Sequence, residues 1–269
     1  MKITITGGKG FIGEATASVA KERGHEVSFF DRRDGNDVLG PLDALDGSDT
    51  IIHLAGVLGT HELFDEVQTA IDVNITGSYR IMDWCLSHNA NYVGILMPDV
   101  FPSIYTATKV ATQRIAKALH HSRGLKVSHV RAFNVFGPGQ AVGPGHPQKL
   151  VPTAAVAAWR NEPIQVWGDG KQGVDLIYAE DVGRMLIDAA RFTNNEIFDG
   201  GTGSMWTVNN VVSMIKNIAR SSSLVSHELM RNGEMPTHIV ARGECWNLLG
   251  WEPSFEFDDL IRTVEAYRP

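Results

Sequence analysis

The chain has 269 residues, 43% of them hydrophobic, so it can bury a large core as one α/β domain with an appended lobe or as two small domains. A formal net charge of −7, without any basic run, excludes a nucleic-acid-binding surface. Two cysteines are too few for a disulfide framework, the ten histidines form no metal-binding spacing, and no apolar stretch is long enough to span a membrane. Because the first strand begins at residue 2, we expect no signal peptide and a cytoplasmic protein.

The chain begins with a predicted strand, a glycine turn and a helix. Residues Lys2–Thr6 alternate as a short β-strand does, and a helix starts at Phe11 and is predicted to end at Gly24. The turn matches the G-x-G-x-x-G pattern through Gly8, Gly10 and Gly13. Such glycines permit a tight turn, a close approach of a pyrophosphate and close helix–strand packing. The pattern therefore predicts a dinucleotide site with the pyrophosphate at the positive end of the helix dipole.

A second predicted strand, His25–Asp31, ends in an acidic residue. Asp31 lies 18 residues beyond Gly13, close to the position where an acid holds the adenosine ribose of a bound dinucleotide. The strand, the turn, the helix and this acid together form the pattern of a βαβ dinucleotide-binding unit.

The next part of the chain alternates strands and helices. Thr50–Ala55 is a nearly continuous apolar run, which is typical of a central parallel strand buried on both faces. We expect His53 within it to be a packed core residue rather than a ligand. The further elements predicted here are a helical pattern over His61–His88, a strand Asn91–Met97, a helix Tyr105–His121 and a strand Lys126–Phe133. This alternation predicts an α/β fold with a doubly wound parallel sheet of the Rossmann type.

The remaining chain has shorter elements after a glycine- and proline-rich segment, Asn134–Lys149, which we predict to be an irregular loop. The predicted elements are helices near Pro152–Arg160, Glu180–Phe192, Val208–Ala219 and Asp258–Tyr267, and strands Ile164–Trp167, Asp175–Ala179 and Glu196–Phe198. We expect residues 1–133 and 174–200 to form the dinucleotide-binding core. Residues 134–173 and 201–269 are expected to form a smaller C-terminal substrate lobe.

Tyr105 and Lys109 are the candidate catalytic pair. Their i, i+4 spacing places them on one face of the predicted helix. A free phenol has a pKa near ~10 and is a poor base at neutral pH. A neighbouring ammonium favours the phenolate and is expected to lower the pKa of the tyrosine, which yields a usable acid and base. The lysine can also hold the nicotinamide ribose.

An ordered series of motifs extends along the chain and gives a resemblance to a family. The motifs are TGGKGFIG (Thr6–Gly13), HLAG (His53–Gly56), DVNITGS (Asp72–Ser78), YTATK (Tyr105–Lys109), RAFNVFGPGQ (Arg131–Gln140), GDGKQGVDLIYAEDV (Gly168–Val182) and LGWEPSF (Leu249–Phe255). With this set the chain resembles the extended short-chain dehydrogenases/reductases, in particular the nucleotide-sugar epimerase and dehydratase group. The resemblance covers essentially the whole length.

The resemblance implies a cofactor site position by position. The cofactor-binding residues that it implies are Gly7, Gly10, Phe11, Ile12 and Gly13 around the pyrophosphate, Asp31 at the ribose, Asp37 and Val38 beside the adenine, Leu54, Ala55 and Gly56 along the cofactor, Asn74 supporting its surroundings, and Phe133 near the nicotinamide. Asp31 favours NAD, whereas Arg32 and Arg33 leave NADP open, since either arginine can meet a 2′-phosphate.

The resemblance also implies the catalytic and substrate residues. Tyr105 and Lys109 take the catalytic roles, Asn134 meets the substrate diphosphate, and Arg231 resembles the second-lobe arginine that pairs with a nucleotide diphosphate. A planar, bidentate arginine suits such pairing. The family also forms homodimers through a four-helix interface, so we expect a homodimer through the helices near Val67–Leu86 and Tyr105–His121.

Three departures from the family pattern concern the substrate side. Met97 stands where a Ser or Thr usually polarises the substrate, and only eight positions separate it from Tyr105, so a substrate-covering segment is missing. Val174 stands where an arginine usually precedes Asp175. Asp99 is expected to be a turn or cap residue rather than a catalytic acid. Possible substitute hydroxyls are those of Ser103, Thr106 and Thr108, of which Ser103 is expected only to cap the helix.

The sequence therefore leaves more than one function open. The first is NAD-dependent hydride transfer at a carbon of a nucleotide sugar, as epimerase, dehydratase or dehydrogenase. The second is a cofactor-binding protein with a degenerate site, kept for regulation or for binding a partner. The third is a reductase of a non-nucleotide carbonyl compound. A tuned phenol at Tyr105 favours the enzyme, whereas Met97 and Val174 favour the alternatives.

Overall fold

A computed structural model describes residues 1–143 and 146–269. The strands are β1 (Lys2–Thr6), β2 (Glu26–Phe30), β3 (Thr50–His53), β4 (Asn91–Leu96), β5 (Val127–Ala132), β6 (Asn134–Phe136), β7 (Ile164–Trp167), β8 (Gly173–Val174), β9 (Leu176–Tyr178), β10 (Asn194–Gly200), β11 (Trp206–Thr207) and β12 (Val225–Glu228). The helices are α1 (Phe11–Glu22), α2 (Val67–Ala70), α3 (Ser78–His88), α4 (Ile104–Arg123), α5 (Leu150–Trp159), α6 (Ala179–Ala189), α7 (Val208–Ala219), α8 (Trp246–Leu249) and α9 (Phe257–Glu265). Among these described residues, no helix is both long and apolar enough to cross a membrane.

A six-stranded parallel sheet with the order β10-β5-β4-β3-β1-β2 forms the centre of the fold. The strand order reverses at β1, since the chain passes from β1 to β2 on one side and then to β3 on the other. Ligands of open parallel sheets bind at the carboxyl ends of the strands beside such a switch point. Here those ends are Thr6 and His53, which are paired in register. The sheet confirms the predicted doubly wound α/β fold.

Apolar side chains cover both faces of this sheet. On one face Ala17 of α1 and Met185 of α6 pack with Ile3 and Ile52. On the other face a second cluster of buried residues includes Met82 of α3. Strands buried on two sides read as continuous apolar runs, which is why the sequence predicted them well.

A third hydrophobic cluster forms the core of a smaller unit built from α5, α7, α9 and β7, with Val166, Ile215 and Leu260 among its buried members. Successive side chains of strand β9 point to opposite sides and so pack in two different hydrophobic clusters. Leu176 packs in the third cluster, and the adjacent Ile177 packs in the core beneath the central sheet.

The structure differs from the sequence prediction chiefly in two segments. The helical pattern over His61–His88 is divided into a 3-10 turn at Glu62–Phe64, helix α2, a π-helical segment Ile71–Gly77 and helix α3. Hydrophobic spacing near 3.6 residues does not distinguish α from π winding. The predicted loop Asn134–Lys149 contains the short strand β6, which pairs with β9, while its residues 144 and 145 lie outside the described residues. Strands β8, β11 and β12 and helix α8 were also not predicted, because each has at most four residues and, unlike β3 and β7, lacks a recognised strand or helix pattern.

Candidate active site

The glycine turn lies at the switch point of the sheet. Gly7 has a left-handed φ of +65° and donates its N–H to the carbonyl of Phe30 at 2.9 Å. A Cβ placed on Gly13 would come within 2.5 Å of the Gly8 carbonyl oxygen, so helix α1 can pack this closely only with glycine there. Helix α1 begins at Gly10 without any side-chain cap. Its first N–H groups are therefore available to an anion, and these residues fit the pyrophosphate of a dinucleotide.

Asp31 is nearly buried at the end of β2, and its carboxylate is held in place by two backbone amides. The N–H groups of Lys9 and Arg33 each donate to it at 3.0 Å. Each carboxylate oxygen can accept a further hydrogen bond, which suits the two hydroxyls of a ribose. Arg32 is exposed and lies 3.5 Å from the carboxylate of Asp37, so its charge is already partly compensated.

One cavity of about 730 Å³ extends from this turn into the smaller unit. The sequence-predicted residues that line it are Gly7, Gly10, Phe11, Ile12, Gly13, Asp31, Arg32, Asp37, Val38, Leu54, Ala55, Gly56, Tyr105, Lys109, Phe133, Asn134 and Arg231. Residues from distant parts of the sequence thus share one space. Their individual roles stay predictions, because lining a cavity does not define what a residue does there.

Asn74 lies behind the cavity wall and not in it. From the π-helical segment its Oδ1 accepts the N–H of Val57 at 2.9 Å, and its Nδ2 donates to the Val57 carbonyl and to Thr108 Oγ1, each at 3.1 Å. Asn74 therefore ties the loop after β3 to helix α4. This arrangement is compatible with the predicted supporting role, which acts through the backbone of Val57.

Tyr105 and Lys109 face the cavity from the first turns of α4. The ammonium of Lys109 lies 5.7 Å from the centroid of the tyrosine ring. Burial raises the pKa of Tyr105 to about 12 and lowers the pKa of Lys109 to about 8. The expected lowering of the tyrosine pKa is wrong for this structure, because burial removes the hydration that stabilises the phenolate. Tyr105 is thus a neutral phenol at pH 7.

Met97 lies at the carboxyl end of β4 and lines the same cavity. Ser103 caps α4 by accepting the Thr106 N–H at 3.2 Å, which confirms its expected role. The hydroxyls of Ser103 and Thr106 lie 3.0 Å apart, and Thr108 donates to the Tyr105 carbonyl at 2.8 Å. All three candidate substitute hydroxyls are therefore engaged in structural hydrogen bonds.

The far end of the cavity carries two cations that approach from different elements. Arg231 is paired with Glu234 through Nε at 3.1 Å, and its guanidinium lies 5.4 Å from the ring centroid of Trp167. Lys149, at the start of α5, lines the cavity, and burial is the main cause that lowers its pKa. Sequence reasoning missed Lys149, because a single lysine in a polar loop gives no signal.

Two other residues have structural explanations. His53 is buried, with Nδ1 2.7 Å from Thr6 Oγ1 and Nε2 2.9 Å from Ser78 Oγ, which confirms a packed core histidine. Asp99 is exposed in the turn after β4, as expected.

Asp175, which follows Val174 in the GDG motif, is fully buried. Its carboxylate accepts the N–H groups of Thr202, Gly203 and Ala241 at 2.7 to 3.0 Å. It therefore holds the loop after β10, while Val174 lines the cavity in place of a charged side chain.

The doubly wound sheet and the glycine turn at its switch point define a dinucleotide-binding protein of the Rossmann class. The sequence profile of the NAD dependent epimerase/dehydratase family matches residues 3–96 and 98–199. The chain belongs to this family, and NAD is the cofactor that the family uses.

Known proteins agree with this membership. The UDP-glucuronate 4-epimerase of Thermodesulfobacterium geofontis is 25% identical over 233 residues, which are 80% of this chain and 71% of that protein. The solved UDP-glucose 4-epimerase of Thermotoga maritima, with UDP-glucose, has a TM-score of 0.91 at 24% identity and covers 100% of this chain and 99% of its own. MoeE5, solved with UDP-glucose and NAD, has a TM-score of 0.90 at 25% identity, with coverage of 100% and 99%. These similarities support the fold described above.

Proposed function

We propose that this chain is an NAD-dependent enzyme that acts on a nucleotide sugar by hydride transfer, with Tyr105 as the acid and base. The observation that carries the proposal is that Asp31, Tyr105 and Arg231 line one cavity. A volume of about 730 Å³ is in the range of ligand sites. The relatives act on UDP-sugars by their names, and one similar structure holds UDP-glucose together with NAD.

In this proposal the glycine turn binds the cofactor pyrophosphate and Asp31 accepts the adenosine ribose hydroxyls. When bound, NAD accepts a hydride from a sugar carbon and can return it. Arg32 and Arg33 do not outweigh Asp31, because its buried carboxylate repels a 2′-phosphate. We therefore assign NAD as the cofactor.

Tyr105 moves the proton. As a neutral phenol it can donate its proton to a carbonyl oxygen during reduction. In the oxidative direction the phenol must first lose its proton to solvent, and the phenolate then takes the proton of the sugar hydroxyl. The pKa of Lys109, about 8, keeps its ammonium mostly charged at pH 7, where it stabilises a developing phenolate. No hydroxyl at position 97 assists, so we expect slow turnover.

Lys149 and Arg231 would bind the substrate diphosphate. Two cations that reach one cavity from different elements can neutralise most of the charge of a diphosphate. Lys149 then supplies the charge that is absent at Val174. Arg231 would exchange Glu234 for phosphate oxygens on binding.

A second candidate function is a cofactor-binding protein without turnover. This second function is favoured because the hydroxyls of Ser103, Thr106 and Thr108 are engaged in structural hydrogen bonds. Tyr105 is then the single proton donor proposed for the reaction. A reductase of a non-nucleotide carbonyl compound is favoured only by Val174. The cation pair at the far end favours the nucleotide sugar over both.

We also propose that residues 1–133 and 174–200 form the cofactor-binding unit, with 134–173 and 201–269 as the substrate lobe. Pairing of β10 with β5 supports the first grouping. The third hydrophobic cluster, which joins Val151 to Leu260, supports the second.

The test begins with mass spectrometry of the small molecules released when the purified protein is denatured. NAD and a nucleotide sugar are expected. Single-turnover formation of NADH is then followed with the nucleotide sugars found, in the parent protein and in Arg231→Gln. We expect the nucleotide sugar to bind at least roughly tenfold more weakly to that variant than to the parent protein. Arg123→Gln is the matched control, because Arg123 pairs with Asp83 on the surface. Release of NAD alone, with no reaction of any nucleotide sugar, would favour the binding protein.

A further inference from the structure

The lining of the cavity divides by polarity. Most charged side chains lie at its two ends, with Asp31, Arg32, Arg33 and Asp37 at one and Lys149, Arg231 and Glu234 at the other, while Lys109 lines the middle beside Tyr105. Beside Tyr105, in contrast, the lining comes from three segments that contribute apolar side chains. We call this the apolar mouth, formed by Leu58, Met97, Val100, Phe101 and Met235.

Several contacts hold the apolar mouth against the catalytic helix. Met97 Sδ lies 3.8 Å from the hydroxyl of Thr106, the residue after Tyr105. The loop that carries Leu58 is tied to α4 through Asn74, which bonds both Val57 and Thr108. The apolar mouth therefore lies against the helix that carries Tyr105 and lines the same cavity as the phenol.

The segment that carries Met235, on the other side of the apolar mouth, also contacts the loop after β3 that carries Leu58. A Cβ built on Gly233 would lie 2.5 Å from the Phe64 ring and 3.1 Å from the Thr60 carbonyl oxygen, so the two segments touch. Leu58 and Met235 lie two positions from these contacts and remain 50% and 48% exposed. Two large apolar side chains that stay half exposed beside one cavity are available to a ligand.

Resting on the proposed function, we propose that the sugar presented to Tyr105 carries an uncharged, methyl-bearing substituent, as in a 6-deoxy or an N-acetyl sugar. Methyl groups gain affinity by leaving water against Leu58, Met97 and Met235. A uronate carboxylate in the same place would lose hydration. Lys109 is the cation beside Tyr105, but its ammonium is assigned to the developing phenolate, and among the described residues the cavity-lining side chains of segments 54–60, 95–101 and 235–239 carry no positive charge. In this proposal the chain disfavours the charged sugar that the name of its UDP-glucuronate 4-epimerase relative indicates.

Calorimetric titration of the NAD-loaded protein tests this proposal without relying on turnover. The ligands are UDP, UDP-glucose, UDP-6-deoxyglucose, UDP-N-acetylglucosamine and UDP-glucuronate. We expect the 6-deoxy and N-acetyl sugars to bind roughly threefold to tenfold more tightly than UDP-glucose, and UDP-glucuronate at least about tenfold more weakly. UDP-glucuronate binding as tightly as the 6-deoxy sugar would overturn the apolar mouth while leaving the proposed function intact. Failure of UDP and of every UDP-sugar to bind, together with release of no nucleotide sugar of any kind from the denatured protein, would overturn both.

Charge variants provide the second arm. Leu58→Lys and Met235→Lys place a cation at the apolar mouth, and because both positions are half exposed we expect folding to be unaffected. Each should strengthen UDP-glucuronate binding by roughly tenfold and leave UDP unchanged. Leu229→Lys is the matched control, since Leu229 is 91% exposed and is not part of the cavity lining. Equal strengthening in the control, or none in the mouth variants, would refute the placement of the sugar.

Discussion

The hydroxyl of Thr106 lies 3.8 Å from the sulfur of Met97, so the position at the end of β4, which lines the same cavity as Tyr105, presents a thioether and no donor. The same hydroxyl is 3.0 Å from Ser103, which caps the helix. The hydroxyls of Ser103 and Thr106 therefore form hydrogen bonds at the start of α4, and Tyr105 is the remaining proton donor proposed for the reaction.

This arrangement predicts the effect of restoring a hydroxyl. Met97→Ser should raise the single-turnover rate of NADH formation, by up to on the order of 100-fold if the new donor reaches the developing oxyanion. Met97→Ala removes the same thioether without supplying a donor and is the control. Equal rates in the two variants would mean that space, and not a hydrogen bond, limits the reaction.

Removal of the phenol tests the proposed proton transfer. Tyr105→Phe should lower the single-turnover rate of NADH formation by at least about 100-fold, because no other side chain is assigned as the acid and base. The affinity for NAD should stay within about twofold of the parent value. Stopped-flow absorbance gives the rate, and fluorescence titration gives the affinity. A variant that reacts as fast as the parent protein would exclude Tyr105 as the acid and base.

Cofactor choice depends on the carboxylate of Asp31. Asp31→Asn keeps a side chain that can occupy the same place but removes the charge that repels a 2′-phosphate. We expect NADH binding to weaken roughly tenfold and NADPH binding to strengthen, measured by titration of both cofactors. Asp34→Asn, which removes an exposed carboxylate nearby, is the matched control. Tighter binding of NADPH than of NADH by the parent protein would instead shift the assignment to Arg32 and Arg33.

Stability should fall on acidification because two histidines are buried in neutral form. Burial is the main cause that lowers the pKa of His53 to about 3 and of His129 to about 4, and the charge of Lys109 adds to both shifts. Between these values and the unfolded pKa of about 6.5, the unfolded chain binds more protons, so stability rises with pH across this window. Relative to pH 7.5, we expect a loss on the order of 2 kcal/mol per histidine at pH 5.

Urea unfolding at several pH values checks this dependence. His129→Val removes one of the two titrating groups and should therefore reduce the dependence of the free energy of unfolding on pH between pH 4 and about 6.5. Valine should leave no hydrogen-bond partner unsatisfied, because the nitrogens of His129 have no such partner among the described residues. His121→Gln replaces an exposed histidine and should leave the slope unchanged. An unaltered slope in His129→Val would contradict the lowered pKa.

We predict a homodimer through the outer faces of the helices around α2, α3 and α4. Val67, Ile71 and Tyr79 are large hydrophobic residues that remain exposed there. Sedimentation at micromolar concentration should give a dimer, and Ile71→Arg should shift it to monomer because a buried, unpaired charge is costly. Leu224→Arg, at an exposed leucine elsewhere, is the control. A monomeric parent protein would refute the interface.

The sequence by itself determined the elements whose signals are local. The alternation of Lys2–Thr6, the glycine spacing, the apolar run at β3 and the i, i+4 spacing of Tyr105 and Lys109 each depend on neighbours within a few residues. These patterns result from local backbone conformation and from burial on one or both faces of an element. They could therefore be recognised in the sequence without a structure.

Only the tertiary structure decided how distant segments combine. Lys149 and Arg231 are 82 positions apart and meet in one cavity because α5 packs in the smaller unit against β7, the strand that pairs with β12. The π-helical turn at Asn74 depends on bonds to Val57 and Thr108, which no periodicity encodes. The pKa of Tyr105 shifts opposite to the expected direction because the folded chain buries the phenol, whereas the sequence showed only one neighbouring charge.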